Sequence, residues 1–435
     1  MREPAVRVVV LLSVLVAAHL GIVSSIILQE RPVIWPLHND TIHRVGRGAD
    51  FYAVYHAGLN LRRGRNPYEN NRDGVTPYWY AFRYLPVVAI AARPLTLLAP
   101  RAAYIVWILL IEAFLALLLA TLWRRIPGRG VRLAATGMLL INSPYFLELY
   151  MGQFTFVSVA LCCLALWLPA GQVPFSASVL LKPLTLVALP SLASQRRFWS
   201  HGGCAILSVA LSSAPYFFLH PEQWPTFVTT NFTPRGGLDA GNYGLVRLWQ
   251  LLVEDANASL VARHWESWVG SLRFATLAAT ALLVFHSKGK SVVVGVSALL
   301  LAHFLTYQHV WEHHMSGVCV LGAALLTIRE RRKPFTLVVL FSLLLLSLPG
   351  PYGLLDSAKD PSVGDPSVLW PRYASYAAVL PKVLPTVILY LACVIHLCGS
   401  GLMSPRDAVR SALTKPTGHP PGDRGARLDP GARER

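Results

Sequence analysis

Charge is what this 435-residue chain has least of. Only 14% of its residues are charged, against about 25% in a soluble protein. Acids are scarcer still, 22 against 39 Lys and Arg, while 54% of residues are hydrophobic and the mean hydropathy is +0.46. Strands of alternating apolar and polar residues are also missing, which excludes an outer-membrane barrel. The six cysteines, Cys162, Cys163, Cys204, Cys319, Cys393 and Cys398, lie in or beside apolar runs without metal-ligand spacing. That argues against a disulfide framework or a zinc site. No Asp-x-Asp pair and no Gly-rich phosphate loop occurs, so a metal-bridged nucleotide sugar is a poor candidate ligand. No internal repeat is visible, which weighs against a transporter, because many transporters are built from repeats.

The apolar residues gather into runs from Ala5 to Ile395. A bilayer-spanning helix needs roughly 20 mostly apolar residues, and in lipid every backbone N–H and C=O must be satisfied within its own segment. The expected fold is therefore all-α and polytopic. About ten full spans are expected, at 5–28, 101–123, 131–149, 152–169, 201–219, 268–286, 291–307, 314–328, 335–349 and 376–397. Two further apolar segments are broken by prolines: 84–99 by Pro86 and Pro94, and 174–194 by Pro183 and Pro190. Pro removes an intrahelical hydrogen bond and kinks or ends a helix. The first run follows Arg2 and Arg7 but has too long an apolar core, and no cleavage site ends it, so it reads as an uncleaved span.

The net charge of +17 raises nucleic acid as a partner, but its distribution excludes that. Arg and Lys cluster in short loops: Arg124, Arg125, Arg129 and Arg132; Arg196 and Arg197; Lys288 and Lys290; Arg329, Arg331, Arg332 and Lys333. Such clusters mark the cytoplasmic side and can attract anionic lipids. All of them, with the basic tail, fall on one side only if 84–99 and 174–194 dip in and return. Residues 1–398 then form one membrane domain. The polar stretches 30–83, 142–151, 220–267, 308–313 and 350–372 lie outside, and 399–435 is a disordered basic cytoplasmic tail. Outer loops of about 50 residues, such as 30–83 and 220–267, are usually functional.

Several residues could carry chemistry. Asp50, just after the first span, is placed to act as a base or, the plainer reading, to cap a helix. Gly152-Gln153 opens a span, and Gln153 can hydrogen-bond a substrate hydroxyl or a neighbouring loop. Tyr145 and Tyr150 beside it can stack on a sugar or serve as interfacial belt residues. Lys182 interrupts an apolar stretch, where an ionisable residue is costly and usually functional. Its ammonium suits a phosphate, unless it snorkels to an interface. The segment Tyr307–His314 brings together His309, Trp311, Glu312, His313 and His314. The i,i+4 pair His309 and His313 could hold zinc, but no third ligand is apparent. Asn231 and Asn257 lie in glycosylation sequons.

In order and spacing, these pieces resemble the family-87 glycosyltransferases, multi-pass enzymes of the GT-C fold. The best-known members are α-mannosyltransferases that use polyprenyl-phosphate mannose. The matching pieces are Asp50-Phe51 with Gly64 and Tyr68, Tyr84-x-Pro86, Gly152-Gln153, Lys182-Pro183 and Trp311-x-His313-His314, over roughly residues 45–330. The C-terminal spans match in hydropathy alone. The resemblance implies a GT-C-like fold and no cofactor or metal. Asp50 would be general base, and Lys182, His313 and His314 would bind the donor phosphate. Tyr68, Gln153, His309 and Trp311 would contact substrate. It implies a polyprenyl-phosphate sugar donor and a lipid or glycan acceptor, with transfer by inversion at the outer face of the plasma membrane. A lipid phosphate leaves as a stable anion, so one carboxylate suffices where glycoside hydrolysis needs two. The competing class is a transporter or flippase of an anionic or lipid-linked substrate, which would require polar access from both faces. A non-catalytic scaffold would leave Asp50 and the histidines unexplained.

Overall fold

The computed structural model describes residues 3–34, 37, 46–69, 74–77, 81–232, 242–256, 261, 263–287, 291–328, 333–350 and 372–399. The expected tail beyond Gly399, Lys288, Lys290, Arg329, Arg331, Arg332 and Asn257 lie outside them. Among the described residues the regular elements are helices, and the one β-type pairing is a bridge between Asn242 and Trp311.

The helices that build the site come first in the chain. They are α1 (Glu3–Leu28), α2 (Ala49–Arg62), α3 (Pro86–Ala92), α4 (Pro100–Arg125), α5 (Arg129–Leu140), α6 (Ser143–Met151), α7 (Thr155–Ala165) and α8 (Gln172–Leu181). After a 3₁₀ turn at Pro183–Ala188 come α9 (Leu189–Ser194), α10 (Cys204–Leu219), α11 (Trp224–Phe232) and α12 (Leu245–Asp255). The last are α13 (Trp265–His286), α14 (Val292–Thr306), α15 (Met315–Leu325), α16 (Lys333–Ser347) and α17 (Arg372–Gly399).

Five helical segments are long and apolar enough to cross a bilayer: Val6–Leu28, Pro100–Arg125, Phe198–Leu219, Ser267–His286 and Tyr373–Gly399. This is an all-α membrane protein, but the expected count of about ten full spans is not reached by this measure. Segments 131–149 and 152–169, expected as separate spans, form one pair bent by 117° between Met151 and Thr155. Segments 291–307, 314–328 and 335–349 give α14, α15 and α16, of 15, 11 and 15 residues.

The reason lies in what surrounds these short helices. Every residue of α6, α7 and α15 is buried, as is all of α14 but its first residue. Helices that are apolar all round belong in a protein interior. The longer α1, α4, α10, α13 and α17 instead turn Val9, Leu109, Phe218, Phe274 and Ile395 outward, a surface suited to hydrocarbon.

Element ends follow local chemistry. Pro100 sits in the first turn of α4, where its missing N–H is not needed, and Arg124 and Arg125 face the negative end of its dipole. The Asn142 side chain caps α6 by accepting the Tyr145 N–H at 3.1 Å. Helix α8 stops at Lys182 (φ −141°, ψ 111°) because a residue before proline disfavours the helical region. A buried polar group ties α1, α4 and α6 together. His19 Nδ1 meets the Leu140 carbonyl at 2.7 Å, His19 Nε2 meets Glu112 at 2.9 Å, and the Tyr145 hydroxyl donates to Glu112 at 2.8 Å. Because a carbonyl only accepts, Nδ1 carries a proton, and Nε2 and Glu112 share another.

Candidate active site

The site forms where α2 lands on the bend between α6 and α7. Helix α2 starts after Gly48, which has a left-handed φ of 73° and donates its N–H to the Tyr150 carbonyl at 2.7 Å. Gly152, with φ 72°, ends α6. A Cβ on Gly152 would lie 2.4 Å from the Phe51 Cβ and 3.2 Å from the Phe51 nitrogen, so only glycine allows this approach. Helix α4 braces the bend: the Trp107 indole donates to the Gly152 carbonyl at 2.9 Å, and the Tyr104 hydroxyl to the carbonyls of Leu149 and Tyr150 at 2.9 and 3.0 Å.

This packing sets Asp50 against Gln153. Asp50 lies in the first turn of α2, but Gly48 is the cap position and no side chain caps it, so the capping role is not the one Asp50 has. Its carboxylate is hydrogen-bonded by the Gln153 side chain. The Gln153 carbonyl oxygen in turn accepts from the Tyr84 hydroxyl at 3.4 Å and the Phe154 N–H at 3.3 Å. Asp50 Oδ2 is sealed from water and has no hydrogen-bond partner among the described residues. Burial pushes the Asp50 pKa up to about 6, against the opposing pull of Lys182 and Gln153.

Lys182 is buried rather than snorkelling. It donates to the Thr155 hydroxyl at 2.6 Å, and its ammonium lies 5.5 Å from the centre of the Phe154 ring. It interacts electrostatically with Glu148 and Asp50. Glu148, fully buried, accepts the Phe156 N–H at 2.7 Å and the Ser316 hydroxyl. A buried ammonium needs compensating negative charge, and these two carboxylates supply it.

The His313 and His314 rings stand 4.2 Å apart. His313 is buried, and neither of its ring nitrogens has a hydrogen-bond partner among the described residues. Burial, and then Lys182, hold the His313 pKa well below its usual value. Burial and the neighbouring His313 do the same to His314, whose Nδ1 accepts the Trp311 N–H at 3.0 Å. Both rings are therefore neutral, and Lys182 is the cation beside them.

Asp50, Gln153, Lys182, His313 and His314 thus come together. Tyr68 does not join them directly. Its hydroxyl donates to the Tyr84 carbonyl at 3.0 Å, and its ring packs on Phe82 and Phe227 behind that residue. Trp311 is held by its backbone, and the His309 ring lies 6.3 Å from that of Tyr307. Tyr145 and Tyr150 are buried, which fits neither sugar stacking nor an interfacial belt. Glu148, Thr155 and Ser316 are additions that sequence reasoning missed. The argument that singled out Lys182, a charge inside an apolar run, applies to Glu148 as well. Among the described residues no group of three or more His, Cys, Asp and Glu is placed to hold a metal ion.

Beside the polar cluster lies an apolar cavity of about 360 Å³, lined by Val88, Trp107, Ile111, Phe154, Leu161 and Leu181 among others. Phe154 and Leu181 in its lining adjoin Gln153 and Lys182 in the chain, and the Lys182 ammonium lies 5.5 Å from the centre of the Phe154 ring.

No curated protein and no solved structure matches the chain. The model of Glycosyltransferase family 87 matches residues 82–327, more than half of the chain. The matched span takes in Gln153, Lys182 and the histidine turn, and leaves Asp50 and Tyr68 before it. On that match, together with a helical membrane fold, the chain belongs to glycosyltransferase family 87.

Proposed function

We propose that this membrane glycosyltransferase moves mannose from a polyprenyl-phosphate donor to a hydroxyl of a lipid or glycan acceptor, with inversion and with Asp50 as general base. One observation carries the reading: Asp50 Oδ2 is buried, unpartnered and close enough to Lys182 to feel its charge. Glu148 is the other nearby acid, but its two oxygens already accept from Phe156 and Ser316. The acceptor oxygen would attack the anomeric carbon as its proton passes to Asp50 Oδ2. The bond from that carbon to the phosphate oxygen breaks, and polyprenyl phosphate departs as an anion. Lys182 would stabilise that anion as charge develops, and His313, neutral, offers one N–H donor and one acceptor to phosphate or sugar. The apolar cavity supports a lipid-linked donor, since a hydrocarbon chain could lie against Phe154 and Leu181 while its phosphate meets Lys182.

The outer-face assignment rests on α4. The site touches α4 at Tyr104 and Trp107, whereas Arg124 and Arg125 close its other end. At 1.5 Å per residue, Trp107 and Arg124 are about 26 Å apart along the axis. If the arginines mark the cytoplasm, the site faces outward, with 84–99 and 174–194 dipping in and returning.

The test is transfer from labelled polyprenyl-phosphate mannose, by purified protein, into a membrane-lipid or glycan extract. Labelled product with wild type, and a loss on the order of 10²-fold in Asp50→Asn, is the expected result. Robust transfer by a folded Asp50→Asn protein would remove Asp50 as base. Labelling from a nucleotide sugar but not from the polyprenyl donor would overturn the donor assignment.

A further inference from the structure

A second buried charge pair joins Glu312, inside the residues matched by the family model, to Lys382, beyond them, and the mechanism above makes no use of it. Lys382 stands on α17 between Pro381 and Pro385 and is completely buried. Its ammonium donates to the Leu346 carbonyl at 2.8 Å and to the Leu348 carbonyl, at and just beyond the end of α16. It also lies 3.6 Å from the carboxylate of Glu312, itself 4% exposed. Glu312 further accepts the Gly350 N–H at 2.7 Å.

Stability alone does not explain such a pair. Replacing a buried ion pair with apolar residues of similar size is often neutral or stabilising, whereas removing one partner leaves an uncompensated charge. What the pair does hold is a place in the chain. Glu312 opens the 3₁₀ turn Glu312–His314, and the next residue is His313. The same turn is fixed on its other sides. Tyr243 donates its N–H to the Val310 carbonyl at 2.6 Å, the Asn242 side chain accepts the Val310 N–H at 3.2 Å, and the Ser316 hydroxyl, shared with Glu148, lies 2.7 Å from the His313 carbonyl. Nothing among the described residues holds the His313 ring nitrogens themselves. Hydrogen bonds therefore fix the backbone of His313 and not its ring, which packs on His314, and Glu312 anchors that backbone.

We propose that Lys382 and Glu312 are positioning residues for sugar transfer, an ion pair through which the last helix aims His313 at the donor beside Lys182. The proposal rests on the reading of His313 as a donor-binding residue. A displacement of about 1 Å at a reacting group can cost on the order of a hundredfold in rate, so a loosened turn would be read in kinetics before it was read in folding.

The experiment is a double-mutant cycle on purified protein in lipid nanodiscs. It measures donor KM, kcat and melting temperature for wild type, His313→Ala, the pair variant Glu312→Gln with Lys382→Met, and all three changes together. The pair variant should melt near wild type yet lose between about tenfold and a hundredfold in kcat/KM for the donor. Adding His313→Ala to it should cause no more than about a twofold further loss, because residues acting as a unit are non-additive. Wild-type kinetics in the pair variant, or losses that multiply with His313→Ala, would overturn the positioning role and leave the donor site intact. Wild-type kinetics in His313→Ala would instead overturn the donor reading of His313, and the proposal with it. Should the pair variant fail to fold, Glu312→Asp alone takes its place in the cycle. It keeps the charge opposite Lys382 and shortens the side chain by one methylene, so the turn shifts without a buried ammonium left uncompensated, and the same two outcomes decide.

Discussion

Gly152 and Phe51, a hundred residues apart in the chain, touch backbone to backbone, and that contact brings Asp50 to Gln153. Gly152→Ala would meet the Phe51 Cβ at 2.4 Å and would also force an L side chain into φ 72°. The strained conformation alone costs about 1–3 kcal/mol, so the variant should melt lower in detergent and lose transfer as α2 moves off the bend. Unchanged melting and activity would mean that the contact is not needed.

The pKa of about 6 at Asp50 fixes a pH dependence. As a base it must be ionised, so transfer should fall as pH drops through about 6. Stability runs the other way. A carboxyl whose pKa is raised on folding binds more protons folded than unfolded, so its contribution is greatest below the ordinary carboxylate range and is lost as pH rises through about 6. Asp50→Asn, which cannot ionise, should therefore melt at or above wild type at pH 8 and lose that advantage near pH 4. Thermal melts at the two pH values check the sign.

Lys182→Met removes the ammonium and keeps much of the volume. Donor KM should rise more than acceptor KM, since a charge-assisted contact is lost. Lys182 also lowers the Asp50 pKa, so the acid limb should move to higher pH. An unmoved limb and donor KM would separate Lys182 from both roles. Lys182→Arg should recover only part of the activity, because a planar fork replaces a point charge.

Glu148→Gln separates the two acids. Gln can still accept the Phe156 N–H, so the fold should hold and transfer should stay within about tenfold of wild type, well above Asp50→Asn. Abolished transfer in Glu148→Gln beside an active Asp50→Asn would exchange their roles.

Orientation is tested by thiol labelling in a Cys398→Ser background, since Cys398 is an exposed native cysteine. A cysteine at exposed Arg65, close after α2, should label from outside intact cells. One at exposed Arg124 should label only after permeabilisation. The reverse pattern would turn the site toward the cytoplasm.

The legible and illegible parts of this molecule divide on physical lines. Gln153 and Lys182 stood out as polar residues beside a glycine or proline that breaks a helix, Asp50 as an acid just after the first span, and His313 as part of a cluster of three histidines. Glu148 is a charge among apolar residues but sat in a stretch, 142–151, read as an outer loop; it is in fact part of a wholly buried helix. The proline breaks at 84–99 and 174–194 fell where expected, with 3₁₀ turns at Arg93–Leu97 and Pro183–Ala188. The span count was less readable because hydropathy does not say whether a helix is wrapped in lipid or in protein. Helix α15, buried on all sides, reads like a membrane segment. The Glu312–Lys382 pair was invisible for another reason: its partners are 70 residues apart, and no spacing rule joins a loop acid to a lysine on a distant helix.

With Asp50 as the proposed base, its burial would also govern how the enzyme becomes ready for its next cycle. Each transfer would leave one proton on that carboxyl. An ordinary carboxylate would shed it readily but would take it poorly from an alcohol; a far more basic group would take it and keep it. At about 6, close to but below neutrality, Asp50 can serve in the forward step and still discharge to the surroundings between turnovers. Because Oδ2 is sealed from water, that discharge waits on product leaving and on water reaching the carboxyl. At a pH well below 6 the same residue would stay loaded, and turnover would stall with the site otherwise intact.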